Sequence, residues 1–421
     1  MKLWGIALLA FGAAVACGSS DDGGAHASSG GAAGSGGSTT TGGTAGAAGS
    51  GGSTSTGGAA GSGGSTSTGG GAGTGGAGGW VSSCTNGRTA VQGPVQAKAG
   101  EVLRCLKVTS ASGPGIVVDS VANVWIDDCE IGPTAGVGVH VKGNGATGIR
   151  ITNSFIHTER SGKGGMNSGL GVFVSGGPSD VLIQGNRMER CESHVYTTGG
   201  TSNVRVIGNY MLNPQGPFPR GQGAQFDTTT GGEISDNFVD VSPEKPTQGE
   251  SDVEDILNLY KSSNIKVLRN YLRGGDSPSG CGVLVGDDGG KAQTIEDNVI
   301  IRTSQCGIGV ASGQDHVVNG NKVLDTSFTG GSGNTGIYVW NQYSPTCSNI
   351  TVTNNVVRNK RPNGEHSPFW DGKNCGTISM SGNVFDTGDG GPAEAQLTPD
   401  AQKLPPPSVA PNPPKPYVPP P

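Results

Sequence analysis

A short unit that recurs ten times constrains the fold of this chain more than any other feature of its sequence. Each copy alternates apolar and polar residues and carries Asn, Ser or Cys at or near its seventh position. The copies are NVWIDDCEI, GIRITNSFI, DVLIQGNRM, NVRVIGNYM, GGEISDNFV, NIKVLRNYL, AQTIEDNVI, HVVNGNKV, NITVTNNVV and TISMSGNVF. Alternation with a period of two is typical of a strand, and so many copies indicate a repeat architecture.

The polar position of the unit forms a series along the chain. Its members are Cys129, Ser154, Asn186, Asn209, Asn237, Asn270, Asn298, Asn321, Asn355 and Asn383. Successive Asn residues are 23 to 34 positions apart, and a second apolar strand such as GVGVHV or TGIYVW precedes most of the units. We therefore expect each turn of chain to contain a first strand, a polar turn, an Asn-bearing strand and a connection of variable length.

Strands that recur without a helical crossover favour a coil of parallel strands, in which one rung stacks on the next. Adjacent strands lie about 4.8 Å apart, so ten rungs would form a rod roughly 48 Å long. Equivalent Asn side chains then stack in register, where each amide can bond to the next and to turn backbone. We therefore interpret the Asn series as structural rather than catalytic.

The Asn series, the rung length and the alternating pattern resemble the right-handed parallel β-helix of the pectate-lyase-like superfamily, with PbH1-type repeats. The resemblance covers about 300 residues. It implies an all-β fold, a single-stranded right-handed parallel β-helix of about ten rungs with an internal Asn ladder, over residues 80–391. The superfamily includes polysaccharide lyases, hydrolases, epimerases, phage tailspikes and adhesins, so the fold alone does not decide the activity.

Low-complexity segments flank this region. Residues 1–17 are typical of a secretory signal, and Ala14–Cys17 resembles a bacterial lipobox, which predicts lipidation of Cys17; plain secretion is the alternative. Residues 18–79 are rich in Gly, Ala, Ser and Thr and predict a disordered tether. Residues 392–421 predict a Pro-rich disordered or polyproline II tail, either a solvated spacer or a partner-binding segment. We expect a protein anchored at the bacterial outer membrane or cell surface.

The charge and the cysteines narrow the class further. A net charge of -6 disfavours a nucleic-acid partner, and export allows disulfides. Cys281 and Cys306 open successive first strands, which predicts a disulfide or a stacked thiol pair, and Cys347 with Cys375 would fasten the last rungs. Three pairings remain open for Cys84, Cys105, Cys129 and Cys191. We expect a monomer.

The first strands should present two outward columns of side chains. The first column is His140, Phe173, Tyr196, Gln225, Asn258, Leu284, Gly309 and Tyr338. The second column is Lys142, Ser175, Thr198, Asp227, Tyr260, Gly286, Ala311 and Trp340. Aromatic rings mixed with polar groups suit a saccharide, which predicts that His140, Tyr196, Asn258, Tyr260, Tyr338 and Trp340 bind substrate. Alternatively, the rings pack beneath the long connections.

The densest polar stretch, ESDVEDILNLYK, ends at Lys261 beside the rung that carries Asp227. Crowded carboxylates form acid/base pairs or calcium sites, although a solvated acidic loop is the alternative. The candidate catalytic residues are Asp227, Glu254, Asp255, Lys261 and His194. A hydrolase would pair Asp227 with Asp255 or Glu254, whereas a lyase would use a base with Lys261, Lys142 or His194. A turn cap is the alternative for His194, and Asp287 with Asp288 is interpreted as a Gly-rich turn.

Together these patterns favour a lipid-anchored surface protein that cleaves an extracellular polysaccharide as a lyase or a hydrolase. The main alternative is a non-catalytic carbohydrate-binding or adhesive lipoprotein, and a structural spacer is the third hypothesis. The sequence predicts no cofactor with certainty, and calcium is the candidate ion.

Overall fold

The fold is described from a computed structural model. It describes residues 84–158, 169–216, 220–241, 254–274, 280–303, 305–325, 335–343, 345–388 and 390–403. The predicted signal sequence, Cys17 and the tether lie outside the described residues. The described chain contains 34 strands and one α-helix, so it is nearly all β.

The strands are short, mostly of three to six residues. Those of the first third are β1 (Thr89–Gln92), β2 (Val95–Gln96), β3 (Val102–Arg104), β4 (Leu106–Ser110), β5 (Ile116–Asp119), β6 (Trp125–Asp127), β7 (Glu130–Thr134), β8 (Val139–Lys142), β9 (Thr147–Thr152), β10 (Phe155–His157), β11 (Val172–Ser175) and β12 (Ser179–Gln184). Those of the middle third are β13 (Arg187–Glu189), β14 (Val195–Thr198), β15 (Ser202–Ile207), β16 (Tyr210–Leu212), β17 (Ala224–Asp227), β18 (Thr230–Ser235), β19 (Phe238–Asp240), β20 (Leu257–Tyr260), β21 (Ser263–Leu268) and β22 (Tyr271–Arg273). The remaining strands are β23 (Cys281–Asp287), β24 (Thr294–Glu296), β25 (Val299–Ile301), β26 (Cys306–Val310), β27 (Val317–Asn319), β28 (Lys322–Asp325), β29 (Thr335–Val339), β30 (Ile350–Thr353), β31 (Val356–Asn359), β32 (Phe369–Asp371), β33 (Ile378–Ser381) and β34 (Val384–Phe385).

Every third strand joins the same sheet, so the chain coils. Sheet 1 runs from β1 through β4 and β7 to β34 with 12 strands, sheet 2 from β2 to β32 with 11, and sheet 3 from β3 to β33 with 11. All pairs of neighbouring strands are parallel, as between β12 and β15. One turn of chain therefore adds one strand to each sheet. The described chain makes eleven complete turns and begins a twelfth, which confirms the predicted parallel β-helix of about ten rungs.

Each repeat unit contains two strands and not one. In NVRVIGNYM, β15 of sheet 3 ends at Ile207 and β16 of sheet 1 begins at Tyr210, so Asn209 lies at the corner between them. The same two-residue corner joins sheets 3 and 1 in every turn from β6 onward. The sequence therefore identified the repeat correctly but placed the Asn within a strand, because a bend of two residues leaves the apolar alternation nearly intact.

The first residue of this corner adopts a left-handed conformation in every turn from β6 onward. Its φ values lie between +47° and +68°, at Asp128, Asn153, Gly185, Gly208, Asp236, Arg269, Asp297, Gly320, Asn354 and Gly382. Gly, Asn and Asp enter this region at low cost, which explains why the units read GN or DN. Arg269 is the unfavourable member, and its guanidinium pairs with Asp236 of the preceding turn at 2.8 Å.

The second corner residue points inward and forms the predicted ladder. The Asn209 Nδ2 donates to the carbonyl of Ile183 and to Oδ1 of Asn237, both at 2.9 Å, and its own Oδ1 accepts from the Nδ2 of Asn186. The buried amides are thus satisfied along the column, as a low-dielectric interior requires. Ser154 continues the ladder toward Cys129, whose backbone N–H donates to the Ser154 hydroxyl.

The core is the interior of the coil. Residues that alternate with the outward positions are buried in register on each sheet. On sheet 2 the inward column is Val139, Val172, Val195, Ala224, Leu257, Val283, Ile308 and Ile337. Their side chains leave water at roughly 25 cal/mol per Å², which makes this column a principal source of stability.

Within the described residues, three disulfides join successive turns. They link Cys281 to Cys306 and Cys347 to Cys375, which confirms both predicted pairs, and Cys84 to Cys105. Cys129 and Cys191 are buried free thiols. The four early cysteines therefore form one disulfide, whereas each of the three pairings left open by the sequence contains two. Burial raises the pKa of the Cys129 thiol to about 11.

The chain after the last strand forms a helix, α1 (Pro392–Lys403). This helix lies within the range 392–421 that we predicted as a disordered tail, so that prediction is corrected for 392–403. The helix forms because Ala393 and Leu397 become buried against β28, β31 and β34, which sequence separation conceals. The rest of the tail lies outside the described residues. Among the described residues, no helix has the length and apolarity needed to cross a bilayer.

Candidate functional site

The outward face of sheet 2 carries the predicted first column. Its register is His140, Phe173, Tyr196, Gln225, Asn258, Leu284, Gly309 and Tyr338, as expected, and Trp370 continues it. Strand pairing places these side chains on one face because residues in register on a parallel sheet point the same way. We refer to this surface as the sheet 2 face.

The N-terminal part of the sheet 2 face is an aromatic stack. The His140 ring lies 4.7 Å from that of Phe173, which lies 5.4 Å from the Tyr196 ring. The Arg220 guanidinium lies 4.2 Å from the Tyr196 centroid and donates to the side-chain Oε1 of Gln225 at 2.7 Å. The faces of these rings are therefore in contact with one another and with the Arg220 guanidinium. Of the predicted binding residues, His140 and Tyr196 thus have a packing role here.

Asp227 is the first carboxylate along the face. Its Oδ2 accepts hydrogen bonds from the Tyr196 hydroxyl at 3.1 Å and the Thr198 hydroxyl at 3.0 Å. Its side chain is half-buried. A carboxylate oriented by two hydroxyls on one oxygen presents its other oxygen for a different contact.

Two further carboxylates share the amide of Asn258. The Asn258 Nδ2 donates to Oδ2 of Asp255 at 2.8 Å and to Oδ2 of Asp287 at 2.9 Å. The other oxygen of Asp255 accepts from the Cys281 N–H, and that of Asp287 from the Tyr343 hydroxyl at 2.7 Å. We refer to Asp255, Asn258 and Asp287 as the acid pair with its bridging amide.

Burial governs the protonation of this pair. Asp255 is 1% exposed and Asp287 is 9% exposed. Burial raises the pKa of Asp255 well above its ordinary value, and the neighbouring Asp287 raises it further. Burial also raises the pKa of Asp287, against the hydrogen bonds from Tyr343 and Asn258. The pair therefore holds a proton at a pH where an exposed carboxyl group has lost it.

A bulge brings Asp287 onto the face. The register between β20 and β23 shifts between Asn258 and Tyr260, so Tyr260 pairs with Asp287 and not with Gly286 as the sequence predicted. Gly286 adopts a φ of +63°, and a Cβ there would clash with the backbone of Ser312. Asp287 is therefore one strand spacing beyond Tyr260, which itself pairs with Asp227.

The C-terminal part of the face is aromatic and more open. The Tyr338 ring leans over Gly309, where a Cβ would lie 2.5 Å from its Cζ, and its hydroxyl accepts from Gln342 at 2.6 Å. Trp340 is 40% exposed and Trp370 is 39% exposed. Their centroids lie 5.6 Å apart, edge to face. Trp340, which was predicted, and Trp370, which was not assigned to the column, thus form an exposed pair.

Several predicted catalytic residues lie away from the acid pair. His194 is fully buried, and burial lowers its pKa to about 3, so its imidazole does not reach the face. Glu254 accepts a hydrogen bond from Gln222 at 3.3 Å, beside the chain that precedes β17. Lys261 lies past the end of β20 and pairs with Asp288 at 2.7 Å, which also accepts from the Tyr260 hydroxyl.

The structure joins Asp255 to Asp287 through the Asn258 amide and places Glu254 beside Gln222, while the pairing of Asp227 with Asp255 or Glu254 stays a prediction. Asp255 faces Asp287 below the surface, and Asp287 is the carboxyl group that shares a column with Asp227. Asp287 and Tyr343 were missed by the sequence reasoning. The glycine before Asp287 was the available signal, since an extra residue in a strand shifts the following side chains to new positions.

Calcium stays a candidate ion, and a cluster of three acidic, His or Cys ligands within the described ranges would favour a metal site. The single group of three candidate ligands there is Cys84, Cys105 and Asp128, and its two sulfurs form a disulfide. Between Asp255 and Asp287 lies the Asn258 amide, whose Nδ2 donates to both carboxyl groups.

Comparison with known proteins identifies the fold. A family model described as the right handed beta helix region matches residues 98–270. The Dettilon tailspike protein is 14% identical with a TM-score of 0.48, and the match covers 72% of this chain and 59% of that chain. An alginate lyase from Paenibacillus sp. str. FPU-7 is 11% identical with a TM-score of 0.43, covering 70% and 99%. PfbA, a surface adhesin of Streptococcus pneumoniae, is 14% identical with a TM-score of 0.35, covering 67% and 60%.

The chain thus spans about three fifths of the tailspike and of the adhesin. The search of curated protein sequences found no match. The match of the family model and the three parallel sheets agree on one architecture. The strand region from Thr89 to Phe385 is a right-handed parallel β-helix.

Proposed function

We propose that the sheet 2 face binds an extracellular polysaccharide and hydrolyses a glycosidic bond, with Asp227 and Asp287 as the two carboxyl groups. The observation that carries this proposal is their shared column, with Tyr260 between them. Two strand spacings separate their Cα atoms by roughly 10 Å. Inverting glycosidases hold their carboxyl groups about 6.5–9.5 Å apart to admit a water molecule.

The two carboxyl groups have environments suited to different roles. Burial raises the pKa of Asp287, which favours a protonated group that can donate to the leaving oxygen. Asp227 accepts two hydroxyl hydrogen bonds on Oδ2, which orient its carboxyl group for the role of general base toward water. Water then adds to the anomeric carbon as the glycosidic C–O bond breaks.

The cations of the face favour a hydrolase over a lyase. A lyase needs a cation beside the carboxylate of a uronic acid, so that its α-proton can be removed. Lys261 pairs with Asp288, Arg220 lies on Tyr196 and bonds to Gln225, and Lys142 pairs with Asp119 at 3.0 Å. Because each of these cations already has a partner, the face favours a neutral or amino sugar over a uronate.

A second candidate is saccharide binding without cleavage. The exposed Trp340–Trp370 pair favours it, because aromatic rings with free faces stack on sugar rings and need no catalytic group. The low exposure of Asp287 points the same way. Both candidates use the same face, so they differ only in whether the bound chain is cut.

Incubation of the purified protein with neutral, cationic and uronic polysaccharides tests the proposal. We expect new reducing ends from a neutral or cationic polymer without unsaturated product. Asp287→Asn should lower the rate at least about 100-fold, since general acid catalysis contributes that much. Asp236→Asn, at an exposed corner between sheets 3 and 1, is the matched control. Retention of polysaccharide without any product would leave the binding candidate, and unsaturated product would replace the hydrolase with a lyase.

We further propose that the protein is displayed at the bacterial surface through a lipid on Cys17, as the lipobox-like Ala14–Cys17 predicts. Cys17→Ser should release the protein from the membrane fraction into the medium or abolish labelling by a fatty-acid probe. A variant that is still labelled by the probe and still sediments with membranes would contradict the proposed lipid anchor on Cys17.

A further inference from the structure

The inward column of sheet 3 is interrupted by two polar residues. The earlier part of this column is apolar apart from one glycine, and consists of Ile149, Val181, Val204, Gly232 and Ile265. Gln293 and His316 come next in register, because they precede the paired residues Thr294 and Val317. Both side chains are fully buried. A buried amide or imidazole destabilises a core unless hydrogen bonds compensate for its lost hydration, so the scaffold alone gives no reason for either residue.

Gln293 provides a hydrogen-bond acceptor for the bulged residue of β23. Val285 pairs with β26 and Asp287 with β20, so Gly286 between them pairs with neither strand in register. The Gly286 N–H donates instead to the Gln293 Oε1 at 2.7 Å. The Gln293 Nε2 donates to the Ser262 carbonyl at 2.6 Å, which fixes the orientation of the amide. The buried side chain therefore satisfies a donor that the sheet leaves out of its ladder.

Ser312 and His316 complete the contacts of the bulge. The Ser312 Oγ donates to the Gly286 carbonyl at 2.6 Å. The His316 Nδ1 accepts from the Gln293 N–H at 3.3 Å, and burial lowers the pKa of this imidazole to about 4, so the ring is neutral near pH 7 and can accept. The same ring lies against Gly286, where a Cβ would be 2.9 Å from its Nε2. Both backbone polar groups of Gly286 are thus held by buried side chains.

We refer to Gln293, Ser312 and His316 as the bulge clamp. We infer that the bulge clamp positions Asp287, because it holds Gly286 in the conformation that turns the next side chain onto the sheet 2 face. The carboxyl oxygens of Asp287 accept from Asn258 and Tyr343, so the clamp acts through the backbone and not by contact with them. Without the bulge, Gly286 would pair with Tyr260 and the carboxyl group would move into the turn. The effect on the rate rests on the proposed hydrolase, whereas the effect on the position of Asp287 needs no activity.

Gln293→Leu in the full chain tests the clamp. The change continues the apolar column and removes the acceptor of the Gly286 N–H. Carboxyl NMR with isotope-labelled aspartate follows the titration of Asp287, whose signal is identified by its loss in Asp287→Asn. We expect the pKa of Asp287 to fall toward its ordinary value, since the carboxyl group leaves its buried site. Ile149→Leu, in the same column away from the bulge, is the matched control and should leave this pKa unchanged.

Ser312→Ala is a second variant, which removes the other hydrogen bond to Gly286 by deleting one oxygen atom. Thermal unfolding checks that each variant folds, and Ser312→Ala decides the question if Gln293→Leu does not fold. On a polysaccharide that the native protein cleaves, the variants should lower kcat at least about tenfold with KM within about twofold. The alkaline limb of the pH–rate profile should move to lower pH together with the pKa of Asp287, because a general acid is active while protonated. A loss of general stability would lower the rate without moving this limb.

The two measurements separate the clamp from the hydrolase. If the native protein cleaves no polysaccharide, the hydrolase proposal fails, and the titration of Asp287 still decides whether the clamp positions this residue. An unchanged pKa of Asp287 in the folded variants would overturn the clamp, whether or not the protein is an enzyme.

Discussion

Two buried asparagines of this protein, Asn270 in the ladder and Asn258 on the sheet 2 face, have opposite hydrogen-bond environments. The Asn270 Nδ2 donates to the Ile234 carbonyl and to Asn298, and its Oδ1 accepts from both nitrogens of Asn237. The Asn258 Nδ2 serves two carboxyl groups, while its Oδ1 has no hydrogen-bond partner in the structure as described.

The difference separates the scaffold from its surface chemistry. A saturated amide repeated at every turn is a structural element, because each copy satisfies the next. The Asn258 amide differs, because it bridges two acids and its oxygen accepts no hydrogen bond. A buried acceptor of this kind is available to a ligand. Substitutions at the two positions should therefore have different consequences.

The largest effect on stability should follow Asn270→Ala. The change leaves the Asn237 amide and a backbone N–H without acceptors inside the coil, at a cost of about 2–4 kcal/mol in the free energy of unfolding. Urea unfolding followed by circular dichroism measures it. Lys266→Ala, at an exposed position of the same turn, is the control. A loss equal to that of the control would remove the structural interpretation of the ladder.

Asn258→Leu should cost less than Asn270→Ala, and its cost should depend on pH. Without the bridging amide, Asp255 and Asp287 face each other directly, which is tolerable while one of them is protonated. We expect a loss near 1 kcal/mol at pH 5 and about 2 kcal/mol at pH 8. Unfolding curves at the two pH values measure this difference. Equal losses would show that the acids do not interact.

Asp255→Asn should flatten the pH dependence of stability. Burial raises the pKa of Asp255 above its ordinary 3.8, so the folded state retains a proton that the unfolded chain has released. The native protein consequently loses stability as the pH rises above 3.8, whereas the variant has no proton to lose there. We expect a change of about 1 kcal/mol across the range, visible as melting temperatures between pH 4 and 8. Parallel profiles for the two proteins would contradict it.

The smallest effect should be that of Trp370→Ala on saccharide retention. Loss of one ring from the exposed pair should weaken binding about fivefold, or about 1 kcal/mol, without changing stability. Affinity electrophoresis in a polysaccharide gel measures it. Met380→Ala removes a similarly exposed apolar side chain from sheet 3 at the same end of the coil and is the control. Equal retention by both variants would exclude Trp370 from the binding surface.

The sequence predicts the scaffold well because the alternating unit with its polar corner residue recurs in ten copies. A misplaced boundary in one unit is corrected by the others, so the Asn ladder, the outward column through Tyr338 and the disulfides Cys281–Cys306 and Cys347–Cys375 follow from register. The bend at each Asn was missed, since a two-residue corner hardly disturbs the alternation.

The site is less predictable because it depends on departures from the repeat. One inserted residue near Gly286 moves Asp287 into the column of Asp227. The sequences of the other turns carry no sign of that shift. His194 occupies a promising position in the sequence, yet the fold buries it completely. Burial of this kind arises from chain that is distant in sequence, and the pattern of a single unit carries no information about it.

The two-residue corner between sheets 3 and 1 has a consequence for how such a chain can change. The corner returns the chain to the same register at every turn from β6 onward. The connections from sheet 1 to sheet 2 differ in length, from 2 residues between β1 and β2 to 16 between β19 and β20. An insertion in one connection is therefore absorbed within its own turn. New loops can be grafted at the rim of the sheet 2 face, and a binding specificity altered, without any adjustment of the neighbouring turns.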